Sequence, residues 1–297
     1  MTVANFSVVV PATTANLGPG FDSIGLALAL YMTVDVASAE TWSVFYEGDE
    51  YGDLPSGEDN LIVQTIQDVA GRYEKKIAAH RLQISSDIPL GKGLGSSATA
   101  IAAGIEIANR LAGLELSSKE KVFIGSELEG HADNVSAALL GGVTISYFDG
   151  EEIDVIHIPE PKVGAVILVP PEALRTEESR GLLPKQLLHM EATLGSAASS
   201  VMAAAIVQGD WVTAGRMMEK DVFHEPYRKQ LFPDFDEIRE MSKELGAFGM
   251  TISGAGPSLF IAVKEGSEQQ LAVKLAAHFP YYKCIAVRPS VAGAQCK

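Results

Sequence analysis

The sequence predicts an α+β protein of two domains. The chain has 297 residues, enough for one large or two medium hydrophobic cores. Short apolar runs and segments of helical period are mixed in both halves, without the regular strand–helix alternation of a doubly wound sheet. The stretch Asp149 to Pro161 is acidic, polar and carries two prolines. It places a boundary between residues 1–155 and 156–297.

In order along the chain, Phe6 to Val10 and Thr41 to Tyr46 read as strands. Asn60 to Tyr73 reads as a helix, with Leu61, Ile62, Ile66, Val69 and Ala70 on one stripe. Arg81 to Ser85 alternates as a strand. Ser96 to Leu111 is an Ala- and Ile-rich helix with Gly113 as its stop. Ser117 to Glu120 forms a capping box that opens a helix towards Glu129. Gly142 to Phe148 is a strand after a Gly-Gly break. In the second half, Val163 to Val169 reads as a buried strand and Lys185 to Gln208 as a long helix. Thr251-Ile252-Ser253 and Leu259 to Val263 flank a glycine-rich turn. Glu268 to His278 is a helix and Cys284 to Arg288 a strand.

Composition narrows the function classes. Hydrophobic residues make up 47% and charged residues 21%, the balance of a globular protein. A net charge of −15 repels phosphate backbones, so nucleic acid is not an expected partner. The two cysteines, Cys284 and Cys296, form no C-x-x-C pattern and stand at no zinc spacing, which favours a reducing cytoplasm over a disulfide framework. Met1 to Pro11 carries no Lys or Arg, and its run Val8-Val9-Val10 is too short for a signal peptide. Val163 to Pro171 is far below the roughly 20 residues of a membrane span. No membrane is expected.

The loop Pro89-Leu90-Gly91-Lys92-Gly93-Leu94-Gly95-Ser96-Ser97-Ala98-Thr99 lies between a strand and a helix. Glycines at every second position let a phosphate approach successive backbone N–H groups. The helix that follows adds its unpaired N–H groups and the positive end of its dipole. Ser96, Ser97 and Thr99 offer hydroxyls to phosphate oxygens or to Mg²⁺. The order of residues is neither a Walker A loop nor a dinucleotide fingerprint. A glycine hinge would also fit three glycines; the Ser-Ser pair at the helix start favours phosphate.

Two further loops stand out. Pro11-Ala12-Thr13-Thr14-Ala15-Asn16-Leu17-Gly18-Pro19-Gly20-Phe21-Asp22 is a sharply turned loop after a strand, suited to presenting side chains. Asn16 and Asp22 would also serve to satisfy the turn's own backbone. Thr251-Ile252-Ser253-Gly254-Ala255-Gly256-Pro257-Ser258 fits a tight turn or a source of N–H and O–H donors.

The pattern P-x-G-x-G-L-G-S-S-A resembles the ATP-binding motif of the GHMP kinases, and the two other loops resemble that family's first and third motifs, in the right order. The first loop lacks the basic residue usual in mevalonate kinases and galactokinases, and its wording resembles the homoserine kinase branch. The resemblance implies a ribosomal protein S5-like N-terminal domain and a ferredoxin-like C-terminal domain, with the site between them. It implies ATP with Mg²⁺ as cofactors and L-homoserine as the small-molecule acceptor; members of the family are often homodimers.

By the same resemblance Asn16 and Asp22 meet the substrate. The segment Glu129-Gly130-His131-Ala132-Asp133-Asn134 supplies Glu129 as metal carboxylate, together with Ser97, and His131 as a substrate contact. Glu127 is the rival ligand. Thr176 and Arg180 match T-x-x-A-R-x-x-L-P, with Ser179 in place of the usual Ala, and would share a face if helical. Arg228 matches a second substrate arginine; two guanidinium forks suit a carboxylate. The position of the family's candidate base falls on Asn134, an amide, which is expected to orient the acceptor hydroxyl, with Asn16 and Thr176 beside it in the catalytic set. Asp133 is the rival base.

Overall fold

The computed structural model describes residues 6–48, 51–174 and 176–297. Among these residues the elements form two sheets, each backed by helices. The first sheet contains β1 (Phe6–Ala15), β2 (Ile24–Ser38), β3 (Ser43–Tyr46), β4 (His80–Ser86), β5 (Val143–Phe148) and β6 (Ile153–Ile158). β1 pairs with β2, β2 with β4 and β4 with the short β3, while the start of β2 also pairs with β5 and β5 with β6. β3 runs parallel to β4; the other pairs are antiparallel.

The long strand β2 has no counterpart in the sequence reading. Ile24 to Leu28 is fully buried and shows no alternation, because both of its faces are covered. β1 runs on through Ala15, five residues beyond its predicted end, with a register shift at Pro11/Ala12. Proline cannot donate to a ladder, so an irregularity there is the expected accommodation.

The helices α1 (Leu61–Arg72), α2 (Ser96–Ala112), α3 (Ser118–Glu129) and α4 (Asp133–Leu140) belong to the same half. The Ser117–Glu120 capping box is present, with both reciprocal bonds. α1 is capped by Asn60, whose side chain accepts from the Ile62 N–H, and it buries Ile62, Ile66, Val69 and Ala70 as its period predicts.

The second sheet has the order β10 (Lys283–Val287), β7 (Gly164–Val169), β9 (Leu259–Val263), β8 (Gly249–Ile252), all antiparallel. Around it lie α5 (Thr176–Arg180), α6 (His189–Gln208), α7 (Trp211–Met218), α8 (Glu225–Arg228), α9 (Phe235–Glu244) and α10 (Glu268–His278). Every residue of β7 is buried. Ala165, Ile167 and Val169 join a core shared with β1, β2 and α2, while Val166 and Leu168 join a second core with Phe235, Ile238 and Leu275.

The stretch read as a passage between domains carries β6, and a division at residue 155 falls inside that strand. The chain also returns to the first sheet at its far end, where β11 (Gln295–Cys296) pairs with Val8 and Val9 of β1. α6 begins at His189, four residues after the predicted start, where the Leu188 N–H is held by the Glu191 carboxylate at 3.1 Å. By length and composition α6 would be able to cross a membrane. Its buried residues Met202, Ala205 and Ile206 pack into the first core, while Leu194, Val201 and Val207 are exposed.

Candidate active site

The glycine loop joins β4 to α2. Gly91, Gly93 and Gly95 all have φ near +70°, a conformation that L side chains rarely adopt and that turns successive N–H groups to one side. Gly95 has a second reason to be glycine. A Cβ there would lie 1.9 Å from Thr13 Oγ1. Gly95→Ala should therefore cost roughly 2–4 kcal/mol, combining left-handed strain with displacement of Thr13; urea unfolding would show it. A Cβ on Gly93 would meet the carbonyls of Ser253 and Gly256 at 2.5 and 2.6 Å, so the third loop packs directly against the glycine loop.

At the N-terminus of α2 no side chain caps the helix, and Ser96 and Ser97 line a cleft of about 450 Å³ between the two sheets' loops. Ser97 Oγ donates to Glu129 Oε2 at 3.0 Å. Glu129 closes α3 and its pKa is raised, burial being the main cause, against the lowering effects of His131 and of the Ser97 hydroxyl. Glu127 is turned to the surface, where Arg72 Nη1 holds it at 2.5 Å. Helix phase separates the two glutamates: of the pair, Glu129 lines the cleft beside the glycine loop.

His131 follows, with Nδ1 2.7 Å from Asp133 Oδ1. Burial disfavours its charged form, but the Asp133 hydrogen bond and the neighbouring carboxylates outweigh burial and raise its pKa. Asp133 is buried, and the same Oδ1 also accepts the Asn134 N–H at 2.7 Å. Asn134 Oδ1 accepts the Thr13 hydroxyl at 2.8 Å, which leaves the amide NH₂ as the donor end. An amide so fixed can orient a hydroxyl and cannot take its proton.

The opposite wall is a ring of polar contacts among three loops. Asn16, at φ 72°, donates from Nδ2 to the Gly254 carbonyl at 3.0 Å and accepts the Asp22 N–H on Oδ1 at 3.0 Å. The alternative reading of Asn16, a side chain satisfying the turn's own backbone, holds for its oxygen. Asp22 forms a two-pronged pair with Arg180, at 2.7 and 3.2 Å. Arg228 is buried and donates to the carbonyls of Ser179 and Gly254, each at 3.3 Å. Burial, with the Arg180 charge second, pulls its pKa down to about 10. Both guanidiniums approach the ring of Phe21, at 5.6 and 5.8 Å from its centroid, and buried His224 stacks on that ring.

Of the residues singled out from sequence, Asn16, Asp22, Leu90, Gly91, Lys92, Gly93, Gly95, Ser96, Ser97, Glu129, His131, Asn134, Thr176, Arg180 and Arg228 all line this one cleft. Four loop residues do not. Leu94 and Ala98 belong to the core. The Thr99 hydroxyl is directed to the Gly95 and Pro11 carbonyls, because a threonine one turn into a helix bonds back along it. Pro89 also lies off the lining. The Lys92 ammonium rests on the Pro171 carbonyl at 2.6 Å, across the lip of the cleft. Arg175, which precedes the T-x-x-A-R segment, lies outside the described residues. Sequence reasoning did not assign roles to Thr13 or Phe21; both sit within the first loop's motif, so the motif pointed to the place without separating partner from ligand.

The chain matches the pattern of the GHMP kinases N terminal domain over residues 60–142 and that of the GHMP kinases C terminal domain over residues 202–280. It is 47% identical to a homoserine kinase of Bacillus cereus (strain B4264) over 275 residues, 92% of this chain and 91% of the relative. It is 40% identical to a homoserine kinase of Bacillus velezensis over 282 residues, 95% of this chain and 91% of that one. The solved structure of a homoserine kinase from Cytophaga hutchinsonii superposes with a TM-score of 0.86 at 26% identity, covering 98% and 97% of the two chains. With loop order, cleft geometry and near-full-length similarity in agreement, the chain belongs to the GHMP kinase family, in its homoserine kinase branch.

Proposed function

We propose that this protein transfers the γ-phosphoryl group of ATP to the side-chain hydroxyl of L-homoserine, in the division of labour that the cleft suggests. The observation that carries the reading is the Arg180–Asp22 ion pair, with Arg228 beside it, on the wall opposite the glycine loop. Two guanidiniums suit an α-carboxylate and a carboxylate suits an α-ammonium, so this wall complements an amino-acid zwitterion. The relatives' name supplies the particular amino acid.

Phosphoryl transfer asks a protein chiefly for alignment and for charge stabilisation. The N–H groups of the glycine loop and of the first turn of α2 are arranged to hold phosphate oxygens. Ser97 Oγ and Glu129 Oε2, 3.0 Å apart beside that loop, are the hard oxygen donors that Mg²⁺ takes together with phosphate oxygens. When bound there, the ion would neutralise charge on the phosphates. The Asn134 amide, pinned by Thr13, orients the acceptor hydroxyl. The acceptor oxygen bonds to the γ-phosphorus as the bond to the β-phosphate oxygen breaks, ADP leaves with that electron pair, and the hydroxyl proton passes to a phosphate oxygen or to solvent. Asp133 is less suited to act as base, since one of its oxygens already serves His131 and the Asn134 N–H.

A coupled ADP-release assay with L-homoserine, L-serine, L-threonine, mevalonate and galactose tests this. Turnover is expected with L-homoserine well above the rest. Turnover with mevalonate and none with L-homoserine would overturn it.

A further inference from the structure

We infer that Ser179 is a positioning residue for the acceptor wall, fixing Arg180 and Arg228 as a pair that receives one carboxylate; the inference rests on the homoserine reading above. Ser179 stands where the resembling motif has alanine, and it is fully buried. Its hydroxyl donates to the Ala255 carbonyl at 2.6 Å, and its own carbonyl accepts Arg228 Nε at 3.3 Å. The next residue is Arg180.

These bonds close a circuit. Asn16 and Arg228 both donate to the Gly254 carbonyl, Arg228 reaches Ser179, Arg180 pairs with Asp22, and the Asp22 N–H returns to Asn16. Ser179 Oγ ties that circuit to the third loop at a second point, one residue from Gly254. The tie matters because α5 has five residues, a little over one turn, and a helix that short does not hold its own shape. The two guanidiniums also repel, as the lowering of the Arg228 pKa by Arg180 reflects. A carboxylate shared between them therefore needs each held from behind. Alanine at 179 would fit the space and leave the Ala255 carbonyl without its hydroxyl donor, loosening α5 without altering the glycine loop.

The test is steady-state kinetics of wild type, Ser179→Ala, Arg228→Lys and the double variant, with L-homoserine and ATP varied in turn. Wild type must first turn over L-homoserine; if it does not, the functional reading fails and not this one. Ser179→Ala is expected to raise the KM for L-homoserine about 5–20-fold, the scale of one lost buried hydrogen bond. The KM for ATP and kcat should stay within about twofold, because the loop that holds ATP is untouched. In the Arg228→Lys background the same change should lose most of its effect, since the two residues act on one carboxylate. Ser179→Cys, close in shape with a weaker donor, should fall between serine and alanine. An unchanged KM for L-homoserine, an equal rise for ATP, or full additivity with Arg228→Lys would each overturn the inference.

Discussion

Glu129→Gln should lower kcat by roughly three orders of magnitude while leaving the protein folded, an estimate set by the worth of a metal-held charge in phosphoryl transfer. The substitution keeps the shape and keeps an oxygen for the Ser97 hydroxyl. It removes a negative charge whose burial is already unfavourable, as the raised pKa of the group reflects. Stability should therefore hold or rise slightly, in contrast to the loss of a satisfied ion pair. Glu127→Gln is the control. It weakens the surface contact with Arg72, worth about 0–1 kcal/mol, and should leave kcat unchanged. Measuring kcat against Mg²⁺ concentration separates the two variants. If Glu129→Gln retained wild-type kcat at saturating Mg²⁺, the metal role would be wrong.

Arg228→Met should raise the KM for L-homoserine about 100-fold or more, the scale of a truncated, desolvated charge partner. Arg228 differs from Arg180 in what stands behind it. Arg180 is about a third exposed and its countercharge Asp22 is a side chain that can move. Arg228 is buried to 1% exposure and rests on two backbone carbonyls. Its loss takes a charged donor from each of those carbonyls, with Asn16 left to serve Gly254, so the variant should also lose stability, by about 1–3 kcal/mol. Arg180→Met is expected to weaken L-homoserine binding with a smaller effect on folding. The comparison is made by denaturant midpoint together with KM; equal stability losses in both would contradict the asymmetry of burial.

Much of this site was legible from sequence, for particular reasons. The glycine loop announces itself because left-handed backbone at Gly91, Gly93 and Gly95 strongly disfavours other residues. Ser97, Glu129, His131 and Arg180 were reached through the spacing of motifs, and the fold brings them to one cleft. What sequence did not give is direction. Nothing in the order of residues says that Thr99 turns back along its helix or that Lys92 reaches across to Pro171. Long-range packing decides the second, whereas the parting of Glu127 and Glu129 around α3 follows from helix phase and was expected from their two-residue spacing. The same limit explains β2, whose buried half lacks alternation, and the core that runs through β7 from one sheet's helices to the other's.

The pairing of β11 with β1 has a kinetic consequence. Val8 and Val9 find their partners at Cys296 and Gln295, nearly the whole chain away. During synthesis, which proceeds from the N-terminus, β1 and β2 emerge early, yet β1 keeps an open edge until the second sheet and its helices have been made. An unpaired edge is the part of a nascent sheet most exposed to association with other chains. Contacts of such long sequence separation also slow the final step of folding. The interval between emergence of β1 and arrival of β11 is therefore when that edge stands open to other chains.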